Sequence, residues 1–232
     1  METILVTGAS RGIGLEWARQ CARRGWRVYA TCREPLDAGN LQLLASEYAG
    51  LTIHRLDVTK ASSVAGLAAD LRGTAIDLLV NNAGIFPDFN GCLPVGRIDF
   101  DAWEETLRVN VLGAARVTEA LLENLAVSHR RLVVGISSEM GSVSRLQSEG
   151  CFAYRSSKAA LNMTMRGMAR ELEPRGIGVL LLHPGWVRSG LGGPSATLDA
   201  AVSVRHMLDR VQEFTMAQSG GLFRYDGTPI PW

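Results

Sequence analysis

Apolar positions along the chain gather into short continuous runs separated by longer amphipathic stretches. Residues 4–6 form the first run. Residues 26–31, 51–56, 76–80, 131–136 and 178–182 form five more, and 221–225 a last short one. Runs of this length without polar alternation predict strands buried on both faces. Between them, residues 14–24, 41–48, 62–71, 100–125, 153–172 and 198–214 carry apolar residues at helical spacing. Gly25 ends the first helix, and Pro174 stops the one over 153–172. Strands and helices taking turns predict an α/β, Rossmann-type doubly wound fold: a seven-stranded, mostly parallel sheet flanked by helices on both faces. The pattern shows no linker, repeat or low-complexity tract, so one domain over residues 1–232 is expected. Three irregular segments, 86–97, 140–150 and 186–197, follow predicted strands at their carboxyl ends, where ligands bind in such sheets.

Composition narrows this picture. With 232 residues and 47% of them apolar, the chain can fill one large core and is cramped for two domains. The formal charge is +1, which makes no case for nucleic acid or an anionic membrane as partner. No apolar run approaches the length of a membrane span. The first strand begins at once, leaving no room for a signal peptide, and the cytoplasm is the expected location. Cys21, Cys32, Cys92 and Cys151 lack C-x-x-C spacing and read as isolated thiols suited to a reducing compartment. His54, His129, His183 and His206 are scattered, and no metal site is expected.

Gly8, Gly12 and Gly14 form G-x-x-x-G-x-G between the first strand and the first helix, with Ser10, Arg11 and Ile13 in the same loop. Glycine there lets the backbone turn tightly and approach a diphosphate, and the helix start offers free N–H groups. The end of the second strand then selects the cofactor. A carboxylate there would bind the ribose 2′-hydroxyl of NAD(H), but Cys32 stands in its place, followed by Arg33. Arg33 and Arg11 can pair with a 2′-phosphate, so NADP(H) is expected in preference to NAD(H). Glu34 is the competing signal, since a one-residue shift would bring its carboxylate to the ribose. At the end of the third strand, Asp57 and Val58 can meet an adenine ring, or Asp57 can cap the following helix. Asn81, Asn82, Ala83 and Gly84 close the fourth strand. Their amides can cross-link strand ends beside the cofactor, or form a plain Asn/Gly turn.

Tyr154 and Lys158 lie one helical turn apart and so share a face. A phenol with a reference pKa near ~10 is a poor acid or base at neutral pH, and a nearby ammonium lowers it by stabilising phenolate. Ser138 directly follows the 131–136 strand, where a hydroxyl can reach a substrate carbonyl oxygen. Ser137 and Ser142 read as ordinary loop serines. Asn110 is a poor residue for a helix interior. A local rule broken mid-helix marks either a site or a satisfied core amide.

Taken in order, these motifs resemble the single-domain short-chain dehydrogenase/reductase family along essentially the whole chain. The resemblance rests on the 7–14 loop, residues 81–84, Asn110, Ser138, the Tyr154/Lys158 pair and Pro184-Gly185. Within the family, His183-Pro184-Gly185-Trp186-Val187 and the ending Tyr225-Asp226-Gly227-Thr228-Pro229-Ile230-Pro231-Trp232 are similar to sniffer-like and C-factor-like carbonyl reductases. The resemblance implies a tetrad. Tyr154 would donate a proton to a carbonyl oxygen as hydride arrives, and Ser138 would hydrogen-bond that oxygen. Lys158 would lower the Tyr154 pKa and hold the nicotinamide ribose, and Asn110 would anchor a water relaying protons to Lys158. After Pro184 and Gly185, the Val187 backbone and the Ser189 hydroxyl would bind the carboxamide. The Ser138–Tyr154 interval is about three residues longer than the family's usual spacing, which would reshape the substrate mouth. Ser189 replaces the usual threonine, and Gly190 replaces a common aspartate, so the 190–194 loop is expected to be mobile.

Phe86, Phe89, Leu93, Met140, Leu146, Phe152, Trp186 and Leu191 lie in or beside the three irregular segments. Met140, Trp186, Phe86 and Leu146 are the candidates for a substrate pocket. An apolar pocket with one polar centre suits a small hydrophobic aldehyde, ketone or quinone, or the corresponding alcohol. The expected activity is an NADP(H)-dependent carbonyl/alcohol oxidoreductase. The alternative is an NAD(P)(H)-binding signalling or sensor protein with little turnover, against which an intact tetrad argues. A sugar-nucleotide epimerase would usually need a further substrate domain. The helices over 100–125 and 153–172 resemble the family's dimer-forming pair, with Ala159, Ala160, Met163 and Met165 available, so a homodimer or homotetramer is expected.

Overall fold

The computed structural model describes residues 1–87 and 91–232. Seven strands form one sheet: β1 (Thr3–Val6), β2 (Arg27–Cys32), β3 (Leu51–Arg55), β4 (Leu78–Asn81), β5 (Leu132–Ile136), β6 (Gly178–His183) and β7 (Leu222–Arg224). Their order is β3-β2-β1-β4-β5-β6-β7, and every neighbouring pair is parallel. The sheet is therefore wholly rather than mostly parallel. The chain reverses its winding between β3 and β4, and ligands bind such sheets beyond the carboxyl ends of the strands flanking that switch.

Alternate residues of each central strand feed two separate cores. Ile4, Val6, Leu78, Val80, Leu132 and Val134 pack on one face under α1 (Gly12–Arg23), α2 (Gly39–Glu47) and α8 (Ala200–Gln212). Leu5, Leu79, Val133 and Leu181 pack on the other under α3 (Ala61–Asp70), α5 (Ala114–Ala120) and α7 (Phe152–Leu172). Both sets are apolar because both faces are covered, which is why the strands read as uninterrupted hydrophobic runs. Each such side chain taken from water contributes about 1.5–3 kcal/mol. At the opposite end of the sheet, buried Asp77 accepts from the Thr3 amide at 2.9 Å and from the His129 amide at 3.1 Å, tying the starts of β1, β4 and β5 together.

The single helix expected over 100–125 is broken. α4 (Phe100–Leu107) passes into a π-helical stretch, Arg108–Gly113, followed by α5 and then α6 (Leu122–Ala126). The wide turn falls on Asn110, whose amide is committed to the backbone of Ile85 rather than to its own helix face. π-bulges of this kind are frequent at functional sites. α7 also starts abruptly. Gly150 and Cys151 both adopt positive φ, 73° and 53°, and turn the chain into Phe152.

Candidate active site

Two cavities adjoin along the carboxyl edge of the sheet. The first, about 200 Å³, is lined by the glycine loop, the ends of β2, β3 and β4, and Ser189. The second, about 490 Å³, is lined by Ser138, Tyr154 and Lys158 together with residues 183–187. Ile13, Asn82, Gly84, Ser189 and Leu191 belong to both, so the two form one continuous trough.

The floor of the first cavity is set by close backbone approach. A Cβ on Gly14 would lie 2.3 Å from the Gly8 carbonyl oxygen and 2.4 Å from Asn82 Nδ2. Asn82 Nδ2 donates to the carbonyls of Thr7 and Gly8 at 2.9 and 3.0 Å, and Thr7 Oγ1 accepts from the amides of Asn82 and Ala83 at 3.0 Å. The 81–84 segment thus pins the glycine loop to the end of β4. No side chain caps α1, which begins at Gly12, two residues before the helical pattern in the sequence. Its uncapped first turn, and a loop that any side chain would fill, suit the diphosphate of a dinucleotide. The residues present therefore fit such a cofactor.

Arg11, Cys32 and Arg33 line the same cavity. Among the described residues, neither guanidinium forms an ion pair. Glu34 is turned elsewhere: its carboxylate meets Arg55 at 3.3 Å, while Arg55 also donates to the Arg33 carbonyl at 3.1 Å. Asp57 lines the same cavity, but its Oδ1 accepts from the Thr59 amide at 3.0 Å and the Thr59 hydroxyl at 2.7 Å. Burial works against the Asp57 carboxylate, yet the Thr59 hydrogen bonds and nearby Lys60 outweigh it and hold its pKa below the usual range. The carboxylate closes a local turn, while the N-cap position of α3 falls to Lys60. Val58 is buried against Gly113, and its carbonyl accepts from Arg116 at 2.7 Å.

Asn110, Ser138 and the Tyr154/Lys158 pair converge from three different stretches of chain. Asn110 Oδ1 accepts from the Ile85 amide at 2.8 Å, and its Nδ2 donates to the Ile85 carbonyl and to Ser157 Oγ, each at 3.0 Å. Lys158 Nζ donates to the Ile136 carbonyl at 2.9 Å and lies 5.5 Å from the centroid of the Tyr154 ring. Ser138 shares a hydrogen bond with Tyr154, and its Oγ accepts from the Met140 amide at 3.1 Å. Residues 139–141 are pressed onto α7. A Cβ on Gly141 would stand 2.7 Å from the Lys158 carbonyl carbon, so only glycine allows Ser138 this closeness to the helix. The expected lowering of the Tyr154 pKa by Lys158 does not occur in this arrangement. Burial pushes the phenol up to about 12, opposed by the Ser138 hydrogen bond, and pulls the Lys158 ammonium down to about 8. Loss of water disfavours both charged forms.

Pro184, Gly185, Val187 and Ser189 sit in a second backbone clasp. The Pro184 carbonyl accepts from Ser203 at 2.6 Å, and Gly185 has φ 83°. Val187 is buried and bridges Leu198. Ser189 Oγ accepts from the Gly192 amide at 3.1 Å, and Trp186 Nε1 donates to the Gly192 carbonyl at 2.8 Å, so the glycine-rich 190–194 segment is a turn anchored at both ends.

Of the four substrate-side candidates, Phe86, Met140 and Trp186 line the second cavity. Phe86 stacks on Tyr154 with ring centroids 3.9 Å apart, and Trp186 is 53% exposed. Leu146 does not line it; its side chain is 61% exposed, while its neighbours Arg145 and Gln147 face the cavity. Leu191 lines the cavity, whereas Leu93 and Phe152 do not, Phe152 stacking instead on Trp103. Phe89 falls outside the described residues. Glu139, Arg145, Ser148, Arg155 and His183 also line the cavity, and none of them is among the pocket candidates of the sequence. Proximity of Glu139 to Ser138, and of His183 to the end of a strand, was the available signal. On the outer side of α7, Met163 is 74% exposed, while Met165 is fully buried and unavailable for assembly.

The cysteines also depart from expectation. Cys92 and Cys151, 59 residues apart, form a disulfide beside the start of α7, while Cys21 and Cys32 are free and buried. Isolated thiols therefore describe only half of the set, and they no longer argue for a reducing compartment. Among the described residues, no helix is long and apolar enough to cross a membrane, and no cluster of metal-ligating side chains occurs.

Comparison with known proteins agrees with this geometry. C-signal of Myxococcus xanthus is 43% identical over 157 residues, covering 68% of this chain and 93% of that protein. The carbonyl reductase Sniffer of D. melanogaster superposes over 100% of both chains with a TM-score of 0.92 and 29% identity. An NADPH-bound carbonyl reductase from chicken fatty liver superposes with a TM-score of 0.92 and 31% identity, covering 100% of this chain and 99% of that one. The family model for short chain dehydrogenases matches residues 2–197, and with these likenesses and the trough along its sheet, this chain belongs to the short-chain dehydrogenase family.

Proposed function

We propose that the protein is an NADP(H)-dependent carbonyl reductase, acting on small hydrophobic aldehydes, ketones or quinones, or on the alcohols in reverse. The observation that carries this reading is the convergence of Ser138, Tyr154 and Lys158 on a cavity that also presents Phe86, Met140 and Trp186 and is continuous with the first cavity. The hydride would come from the cofactor when it is bound. Tyr154 stays protonated at neutral pH, as an acid must, and Ser138 holds it by a hydrogen bond. A carbonyl oxygen placed between these two hydroxyls receives a hydrogen bond from Ser138 and the proton from Tyr154. Lys158 brings positive charge beneath the ring, and Asn110 fixes the strand-end segment that carries Phe86. Arg11 and Arg33, lacking ion pairs among the described residues, favour a 2′-phosphate and hence NADP(H). The likeness to an NADPH-bound carbonyl reductase supports the same choice. We assign assembly as a homodimer or homotetramer to the outer faces of α4 and α7, where Phe100 and Met163 are exposed.

The test is NADPH and NADH oxidation by the purified protein against a panel of aldehydes, ketones and quinones. Turnover with NADPH that falls about 10²–10⁴-fold in Tyr154→Phe, with NADPH binding unchanged, is the expected result. Likeness to C-signal favours a second reading, a signalling protein that binds the cofactor with little turnover. NADPH binding without reduction of any carbonyl, and unaltered biological effect of Tyr154→Phe, would select it.

A further inference from the structure

Besides Lys158, three charged side chains and a histidine line the second cavity, and they are not equivalent. Glu139 takes Arg145 as a direct ion pair and lies 3.7 Å from His183 Nε2 and 3.8 Å from Arg224. Burial keeps His183 neutral, with its pKa lowered to about 4. The charges of this group are therefore spent on one another. Arg155 is different. Its Nη2 donates to Ser148 Oγ at 2.5 Å, its Nε is shielded without a hydrogen-bond acceptor, and among the described residues no carboxylate pairs with it. A guanidinium offers five donors in a planar fork suited to carboxylate. The Ser148 contact engages one end of that fork, and the rest of the guanidinium has no carboxylate partner among the described residues. Arg155 follows Tyr154 directly, lines the same cavity, and faces a lining that includes Phe86, Met140 and Trp186.

We infer that Arg155 is a specificity-determining residue that receives a carboxylate on the substrate, so that the preferred carbonyl compounds have an apolar middle and an anionic end. This rests on the carbonyl-reductase reading for the identity of the reacting group, but the anion site is defined independently of it. At about 490 Å³, the cavity accommodates a benzene ring bearing both groups.

The experiment compares 4-formylbenzoate with its methyl ester, using NADPH, on the full-length protein and on Arg155→Met. The wild type should favour the carboxylate by about tenfold in kcat/KM. Arg155→Met should remove that preference through KM, leaving the neutral ester unchanged. Equal reduction of both substrates by the wild type, or a parallel loss for both in the variant, would overturn the inference. Binding of benzoate against methyl benzoate, followed by tryptophan fluorescence in the same proteins, separates the two readings if neither aldehyde is reduced. Benzoate binding abolished by Arg155→Met then upholds the anion site and removes the reductase; equal binding of both removes the anion site. If Arg155→Met does not fold, by circular dichroism, Arg155→Lys decides the matter. It keeps the charge without the fork and should weaken the carboxylate substrate several-fold and the ester not at all.

Discussion

The order in which Tyr154 and Lys158 lose protons makes a sharp prediction. Lys158 comes down to about 8 and Tyr154 goes up to about 12, both through burial. As pH rises, the ammonium is lost first, and across the interval between the two values both groups are neutral. A pKa of about 8 leaves about nine-tenths of Lys158 charged at pH 7 and about one-tenth at pH 9. If that charge assists proton donation by Tyr154, kcat/KM for a carbonyl substrate should fall about tenfold over those two pH units, approaching a slope of −1. The assay is NADPH consumption at saturating cofactor across pH 6–10. Lys158→Arg supplies the control, because a guanidinium stays charged throughout. Whatever its absolute rate, its profile should lose the alkaline limb below pH 10. A flat wild-type profile between pH 7 and 9, or the same limb in Lys158→Arg, would refute the reasoning. The shift has a matching effect on stability. Because the folded-state value lies below the ordinary lysine value of 10.5, the unfolded chain binds more protons between about pH 8 and 10.5. The unfavourable contribution of Lys158 is thus fully present below about 8 and relaxes as pH rises through that window.

Arg33→Ala should weaken NADPH binding about tenfold, about 1.4 kcal/mol, and leave NADH binding unchanged, as measured by nucleotide fluorescence titration; equal effects on both cofactors would place the 2′-phosphate elsewhere. Asn110→Ala removes three hydrogen bonds worth about 1 kcal/mol each and should lower Tm by about 6–12 °C in calorimetry, with a shift below about 2 °C showing that the amide does not hold Ile85.

The sheet was legible because its central strands are covered on both sides, which writes them as continuous runs such as Leu78, Leu79 and Val80. The glycine loop and the Tyr154/Lys158 spacing were legible because local geometry demands those residue types at those intervals. The break at Asn110 was visible only as an unfavourable helix residue. Its cause, the Ile85 backbone, lies 25 positions away and leaves no periodic trace. The same holds for the polar wall of the second cavity. Arg145 was passed over in favour of Leu146 because composition ranks leucine as the pocket former, whereas the turn of the segment settles which of the two faces inward. Helix starts slipped for a related reason. α1 begins inside the glycine loop itself, where the sequence shows no amphipathic pattern. The Tyr154 pKa was read with the wrong sign because spacing reveals a neighbouring charge and hides the depth at which the pair sits.

The bond between Cys92 and Cys151 turns an open path into a closed ring with a sequence separation of 59 residues. That ring contains the π-helical stretch, the whole of β5 and Ser138, while Tyr154 and Lys158 stand just outside its clasp. A protease cutting anywhere inside the ring leaves one covalent molecule, with the pieces on either side of the nick still held to each other. Ser138 and the helix that carries Tyr154 and Lys158 thus keep a tether that does not depend on the continuity of the chain between them.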